Sequence, residues 1–313
     1  DLINGRGDPA STKPKMKNIK FVSPRAEVEI HLPDGRVLSG PRGAQVGEFL
    51  AAIEHDSQLV AAIINGDLRE LTFPIEIESY VQPLLMESPD GARIYRRSLT
   101  FLLEMAFADL FPAATLFVDH SVASGGYYCQ VAGREALSDA EIALLKAHMQ
   151  ELIEADLPFE KIELSLEKAV EYFQARGIED KVKLLKYRNK DYLTLYRLGG
   201  QMDYLHGYMV PSTGYLPWYD LMVTPGGFIL HFPRRHNPNE LLPLPQYPKL
   251  LSAFLQYGEW LNKLGIENVG SLNDAIQDGR SDQIILVSEA FHEQYLTEIA
   301  RQIAGRIEQS RII

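Results

Sequence analysis

Met202-Asp-Tyr-Leu-His-Gly-Tyr-Met-Val-Pro211 is the stretch on which the fold turns. Gly207 and Pro211 punctuate it, Asp203 and His206 are polar, and Tyr204, Tyr208 and Met209 are bulky. That mixture reads as a shaped loop rather than a regular element. Its partner upstream is Arg96-Arg-Ser-Leu-Thr-Phe-Leu-Leu103. This segment belongs to a helix predicted from about Ile94 to Leu110, with Leu99, Leu102, Leu103, Ala106 and Leu110 on an apolar face and Pro112 as its stop. What the loop and the helix hold between them decides whether the chain carries chemistry.

The 313 residues allow two or three domains. A net charge of −11 does not suit a protein that lives by phosphate contacts, so strong nonspecific nucleic-acid binding is not expected. Cys129 is the one cysteine, which excludes an internal disulfide and a multi-cysteine metal site and fits a reducing cytoplasm. No apolar run reaches the ~20 residues of a membrane span and no signal peptide is present, so the expectation is a cytoplasmic protein without a membrane partner. The chain starts at Asp1 and reads as trimmed, with Met16 as a natural start.

Residues 1–24 are rich in Gly, Pro, Lys and Ser without periodicity and are expected to be a disordered tail, in which Arg6-Gly7-Asp8 occurs by chance. Val28, Ile30 and Leu32 then alternate with Glu27, Glu29 and His31, as in a half-buried strand, and Pro33-Asp34-Gly35 turns the chain. Val46, Phe49, Leu50 and Ile53 fall at helical spacing, and the run 61–64 leads into an Asn65-Gly66 hairpin turn. A last strand is expected over Val81 to Met86, and Ser88 to Ala92 as a linker.

Beyond the central helix, strands are expected at Thr115–Val122 and Tyr127–Val131, joined by a turn at Gly125-Gly126. Ser138-Asp-Ala-Glu141 is a capping box opening a helix, and a second helix runs from Ser165 to Arg176 before Gly177. Strands follow near Ile162 and at Leu193–Arg197, Asp220–Val223 and Gly227–His231. A Pro-rich passage from Pro233 to Pro248 starts a helical extension, with helices over Leu250–Leu264 and Leu272–Asp278. Ile284–Val287 is readable as a strand or a helix approach, and Ser288 as the cap of a last helix from Glu289 to Gln309.

Leu32-Pro-Asp-Gly-Arg36, the short helix and Ile64-Asn-Gly-Asp67 resemble a TGS domain, the ubiquitin-like β-grasp module that heads threonyl-tRNA synthetases. Four basic residues against ten acidic ones between 25 and 85 make it an unlikely grip on RNA. Residues 94–225 resemble the editing domain that threonyl- and alanyl-tRNA synthetases share. The likeness rests on Leu110-Phe-Pro112, Gly126-Tyr-Tyr128, Phe173-Gln-Ala-Arg-Gly177, Asp180-Lys-Val-Lys183, Met202-Asp203, Gly207, Val210-Pro211 and Leu221-Met222. The resemblance implies an α+β chain: a β-grasp domain over 25–87, an editing-like domain over 92–232, and a Pro-rich linker with helical extension over 233–313.

The same resemblance implies where chemistry would sit. In that family His-x-x-x-His on the first helix and Cys-x-x-x-His in the later loop form the hydrolytic site. Residues four apart on a helix share a face, so two imidazoles can converge. Here Arg97 and Phe101 stand in the first pair, and Leu205 and Met209 in the second. None of these four supports a zinc site beyond a weak thioether, so metal binding and deacylation are expected to be lost, and Asp203 is the polar family residue retained.

Val118-Asp-His-Ser121, Gly125-Gly-Tyr-Tyr-Cys129 and the 233–310 extension resemble a bacterial uridine-kinase-like group, in which such domains precede an ATP-dependent kinase domain. No Gly-Lys pair, and so no P-loop, occurs in the sequence. Arg311-Ile-Ile313 reads as the edge of a kinase strand. The leading expectation is therefore a noncatalytic regulatory or ligand-recognition region of such a kinase, without a cofactor of its own, ATP and Mg belonging to the kinase domain that would be its partner. The alternatives are a nucleotide- or tRNA-end-binding module and a trans-editing deacylase with a rearranged site.

Candidate ligand-binding residues are Arg97, Asp203, His206, Tyr204 and Tyr208. Arg97 is readable as an anion grip or as the partner of Asp203, since guanidinium suits phosphate and carboxylate alike. Tyr204, Tyr208, Tyr215, Trp218 and Tyr219 are readable as a base-stacking pocket or as packing. Arg234-Arg-His236 is readable as a phosphate contact or a solvated loop.

Overall fold

A computed structural model describes residues 23–55, 58–122, 125–245 and 248–306. The expected tail before residue 23, with Arg6-Gly7-Asp8 and Met16, and the terminal Arg311-Ile-Ile313 lie outside the described residues.

The chain opens with β1 (Glu27–His31), β2 (Val37–Pro41), α1 (Val46–Leu50), β3 (Leu59–Ile64), β4 (Asp67–Arg69) and β5 (Ser79–Leu85). They form one mixed sheet in the order β2-β1-β5-β3-β4, with β1 and β5 parallel and the other pairs antiparallel. Both hairpin turns follow from local chemistry. Gly35 takes φ +86° between β1 and β2, and Asn65 and Gly66 take φ +51° and +91° between β3 and β4, as a two-residue turn of that twist requires. The alternation in β1 buries Val28 and Ile30, which meet Val46, Leu50, Leu71, Ile75 and Val81 in the module's own core.

Next comes α2 (Pro89–Leu110). It starts one and a half turns earlier than its apolar pattern suggests. The expected linker 88–92 is its cap: Ser88 Oγ accepts from Gly91 N at 3.0 Å, and Pro89 sits where its missing N–H costs nothing. The helix is buried on most sides. Tyr95, Leu99, Leu102 and Leu103 share one core with Val60, Ala61 and Leu84 of the first sheet and with Cys129, Phe228 and Leu230 of a four-stranded sheet further along the chain.

The remaining elements are β6 (Thr115–Val122), β7 (Gly126–Ala132), α3 (Asp139–Glu154), β8 (Glu160–Ser165), α4 (Leu166–Ala175), α5 (Glu179–Leu185), β9 (Tyr192–Leu198), β10 (Gln201–Asp203), β11 (Asp220–Thr224) and β12 (Gly227–His231). β11-β12-β7-β6 make a four-stranded antiparallel sheet, and β10-β9-β8 a three-stranded one. The capping box at Ser138 and Glu141 forms as its spacing predicts. α4 and α5 pack Ala169, Phe173 and Leu185 on Leu193 and Leu195 of β9.

The extension folds as α6 (Pro248–Lys263), α7 (Val269–Gln277) and α8 (Ser281–Arg306). Ile284–Val287 is helical, not a strand, and Ser288 lies inside α8 rather than capping it. Ile284 N bonds Arg280 O at 3.0 Å, so the first turn closes before the branched run begins. The whole is the expected α+β chain: a β-grasp sheet of TGS type, an editing-like α+β region and a helical extension.

Candidate functional site

The loop after β10 lies against the middle of α2. Ser98 ties the two together: its Oγ accepts from Val210 N at 3.0 Å, gives its proton to Ile94 O at 2.9 Å and lies 3.4 Å from Met209 Sδ. Around this tie, three of the four positions that the resemblance assigns to the hydrolytic site have turned apolar and inward. Phe101 is 1 % exposed, with its ring 6.0 Å from Phe159, and Met209 is 2 % exposed. Leu205 is half-buried against the same core. Among the described residues no imidazole or thiol is seen to replace them. Cys129 is buried, and burial pushes its thiol up to about 12, so it is inert as a nucleophile.

Arg97 is the fourth position. It does not pair with Asp203. Its Nη1 donates to Tyr208 O at 2.7 Å, and its guanidinium lies over Gly207, where a Cβ would stand 2.7 Å from Cζ. Gly207 has φ +113°, so the loop needs glycine there both for its backbone and for the arginine. Arg97 is half-buried, makes no ion pair among the described residues, and burial lowers its pKa from the ordinary value. Arg96 turns elsewhere, 4.8 Å over the Phe232 ring.

Tyr208 collects further cations. Arg69 Nη1 of β4 donates to its hydroxyl at 3.4 Å, and Lys161 Nζ of β8 lies 4.7 Å from its ring centre. Three cations from three elements therefore surround one half-buried tyrosine. Arg69 and Lys161 also touch Asp67 at 2.9 Å and Glu70 at 3.6 Å, which leaves Arg97 as the member without a carboxylate. His206 is exposed on the same loop.

Asp203 faces the other way. It is 6 % exposed and pairs with Lys181 of α5; its Oδ1 also accepts from Tyr204 N at 2.5 Å. Glu104, one turn beyond Phe101, adds a second carboxyl group beside them. Burial first, and then the negative charge of Asp203, pushes Glu104 well above its ordinary value, against the pull of Lys181. Burial alone would lower Lys181, but Asp203 and Glu104 outweigh it and raise it.

The sign of the Glu104 effect is fixed by linkage. The native state holds the proton more tightly than the unfolded chain, so stability is greatest at low pH and falls as pH rises from the ordinary value of 4.5 toward the raised one. Glu104→Gln is expected to remove this slope, and urea midpoints between about pH 5 and pH 8 measure it.

The sequence-predicted residues are thus split. Tyr208 and the exposed His206 lie on the loop that Arg97 of α2 holds. Tyr204 belongs with α4, α5 and β9, its ring 5.8 Å from Arg188 Cζ. Of the other candidate aromatics, Tyr219 is buried and its Oη donates to Lys146 O at 2.9 Å, whereas Trp218 is held through its backbone, its O and N bridged by Tyr95 Oη at 2.8 and 2.9 Å, and its ring is exposed. Arg234, Arg235 and His236 are exposed on a turn closed by Asn237 N and Arg234 O at 2.9 Å. Sequence reasoning missed Lys181, Glu104, Arg69 and Lys161. Only Glu104 left a signal, as a charge inside the apolar run 101–107.

No family model matches the chain. It is similar to threonine–tRNA ligase 2 of Bacillus subtilis (strain 168), 29 % identical over 219 residues, which covers 69 % of this chain and 33 % of that protein. Threonine–tRNA ligases of Halorhodospira halophila (30 % over 202 residues, 64 % and 31 % covered) and Lawsonia intracellularis (30 % over 176 residues, 56 % and 27 % covered) are similar as well. The chain spans about a third of the length of the curated relatives it matches. These relatives agree with the TGS-type and editing-like fold, and they lend no support to a uridine-kinase parent. No helix among the described residues is long and apolar enough to cross a membrane.

Proposed function

We propose that this chain is a binding module for the 3′ end of a tRNA, working without hydrolysis and without a metal or cofactor at its site, in a cytoplasmic setting. The observation that carries the reading is Arg97: a half-buried guanidinium without a carboxylate partner among the described residues, in a chain of net charge −11. A buried cation without an acidic partner is costly unless an anion completes it. Arg69, Lys161 and the Tyr208 ring beside it supply a stacking face and further positive charge, the combination that single-stranded ends use. The similarity to threonine–tRNA ligases supports a tRNA rather than a free nucleotide as ligand. In this reading 25–87 and 92–232 are the TGS-like and editing-like domains, and 233–313 is an extension.

Fluorescence anisotropy with a tRNA acceptor minihelix tests it. The unmodified chain is expected to bind saturably, and Arg97→Ala or Tyr208→Ala to weaken binding by about tenfold or more, at a cost of ~1–3 kcal/mol. Absence of binding, or binding indifferent to both changes, refutes the proposal.

A second reading, a trans-editing deacylase with a rearranged site, draws on the enclosed Lys181–Asp203–Glu104 group. It requires hydrolysis of seryl-tRNA that disappears in Asp203→Ala, and an inactive parent protein removes it. The narrower reading, a region ahead of an ATP- and Mg-dependent uridine kinase domain, requires a P-loop encoded beyond Ile313 and is settled by sequencing the gene there.

A further inference from the structure

We propose that Glu29, His31 and Glu78 form a divalent-cation site on the outer face of the first sheet, suited to zinc. Glu29 and His31 are two residues apart on β1, so both project from the face opposite the buried Val28 and Ile30. The parallel register of β1 with β5, Ile30 beside Ser79, brings Glu78 next to Glu29. One ligand atom from each of the three lies within 4.8 Å of the others. Ligand atoms about 2.0–2.2 Å from a tetrahedral zinc ion stand roughly 3.3–3.6 Å from one another, a spacing that rotation of the two exposed glutamates has to supply.

The imidazole is already aimed. His31 Nε2 lies 2.7 Å from Glu78 Oε1, and the Tyr80 ring, 5.3 Å from the histidine ring, holds it from the side. Glu78 is held by His31, and the neighbouring Glu29 carboxylate is left without a hydrogen bond or ion pair among the described residues. Like charges on neighbouring strands repel. Glu27 and Glu76 line the same open groove of about 650 Å³, and of these Glu76 is neutralised by Arg42 at 2.8 Å. A cation between Glu29 and Glu78 converts the repulsion into a bridge between β1 and the start of β5. One nitrogen and two carboxylate ligands favour zinc over magnesium or calcium, which prefer six or more oxygens. Three protein ligands leave a fourth position for water or an anionic group. None of the three residues belongs to the Tyr208 cluster, so this site stands or falls independently of RNA binding.

Isothermal titration calorimetry of the full chain with zinc chloride and with magnesium chloride tests the proposal. Saturable zinc binding is expected, with His31→Asn and Glu78→Gln each weakening it by about tenfold, Glu48→Gln leaving it unchanged, and magnesium about tenfold weaker. All three positions are surface ones, and circular dichroism confirms that each variant is folded. A flat zinc titration overturns the site. So does zinc binding that survives both ligand changes, or magnesium binding equal to zinc, which would mark mere attraction to an acidic surface.

Discussion

Lys181→Ala is expected to destabilise the fold by about 3–5 kcal/mol near neutral pH, the cost of breaking a buried ion pair from one side. Lys181 Nζ is the cation that Asp203 and Glu104 share, and both the lysine and aspartate side chains are largely withdrawn from water, 21 % and 9 % exposed. Without it two carboxyl groups meet in an enclosed space, so Glu104 must keep its proton and Asp203 faces no positive charge. The loss should therefore shrink in acid and grow with pH. The paired change Lys181→Met with Asp203→Leu removes both charges together and is expected to cost far less than the single one. Urea unfolding of the three proteins, compared at equal slope, measures this. A loss under about 1 kcal/mol in Lys181→Ala would mean that the pair is solvated and does not organise the loop.

Phe101→Ala is expected to cost about 3–5 kcal/mol, since it removes a fully buried ring from a close-packed core. The prediction bears on function. Position 101 is where the family resemblance places a site imidazole, and a site residue facing a substrate cavity would be cheap to truncate. The Phe101 ring instead lies 6.0 Å from Phe159, and Met209 seals the same wall from the loop. Phe101→Leu, which keeps most of the volume, should cost distinctly less than Phe101→Ala. Thermal unfolding separates the outcomes: a small loss in Phe101→Ala would reveal an open cavity and revive the hydrolytic reading. These two changes also test the tRNA-end proposal, because neither removes Arg97 or Tyr208. Variants that stay folded should keep their affinity for the acceptor minihelix.

Much of this molecule was legible before any coordinate. Short-range signals mark the two hairpins of the first module, whose β-grasp type the family resemblance implies: Asn65-Gly66 admits one kind of turn, Pro33-Asp34-Gly35 another, and β1 alternates with period two. Ser138 and Glu141 announced their helix because the cap is local chemistry. The replacement of the family's site residues at Arg97, Phe101, Leu205 and Met209 was equally plain, since identity at a position needs no fold. Local signals are weaker elsewhere. Ser88 reads as part of a linker although it caps α2, and Ile284–Val287 reads equally as strand or helix because a short branched run carries no period of its own.

Pairing between distant residues was decided only in three dimensions. The sequence offered Asp203 to Arg97, the nearest cation on a recognised element. The fold gives Asp203 to Lys181, which α5 carries to it from 22 residues upstream, and leaves Arg97 to a backbone carbonyl. The gathering of Arg69, Lys161 and Arg97 around Tyr208, and of Glu78 beside Glu29 and His31, depends likewise on which strands meet and in what register. Hydrophobic periodicity states which face of an element is buried, but says nothing about which neighbour covers it, and charges on separate elements acquire partners only once that choice is made.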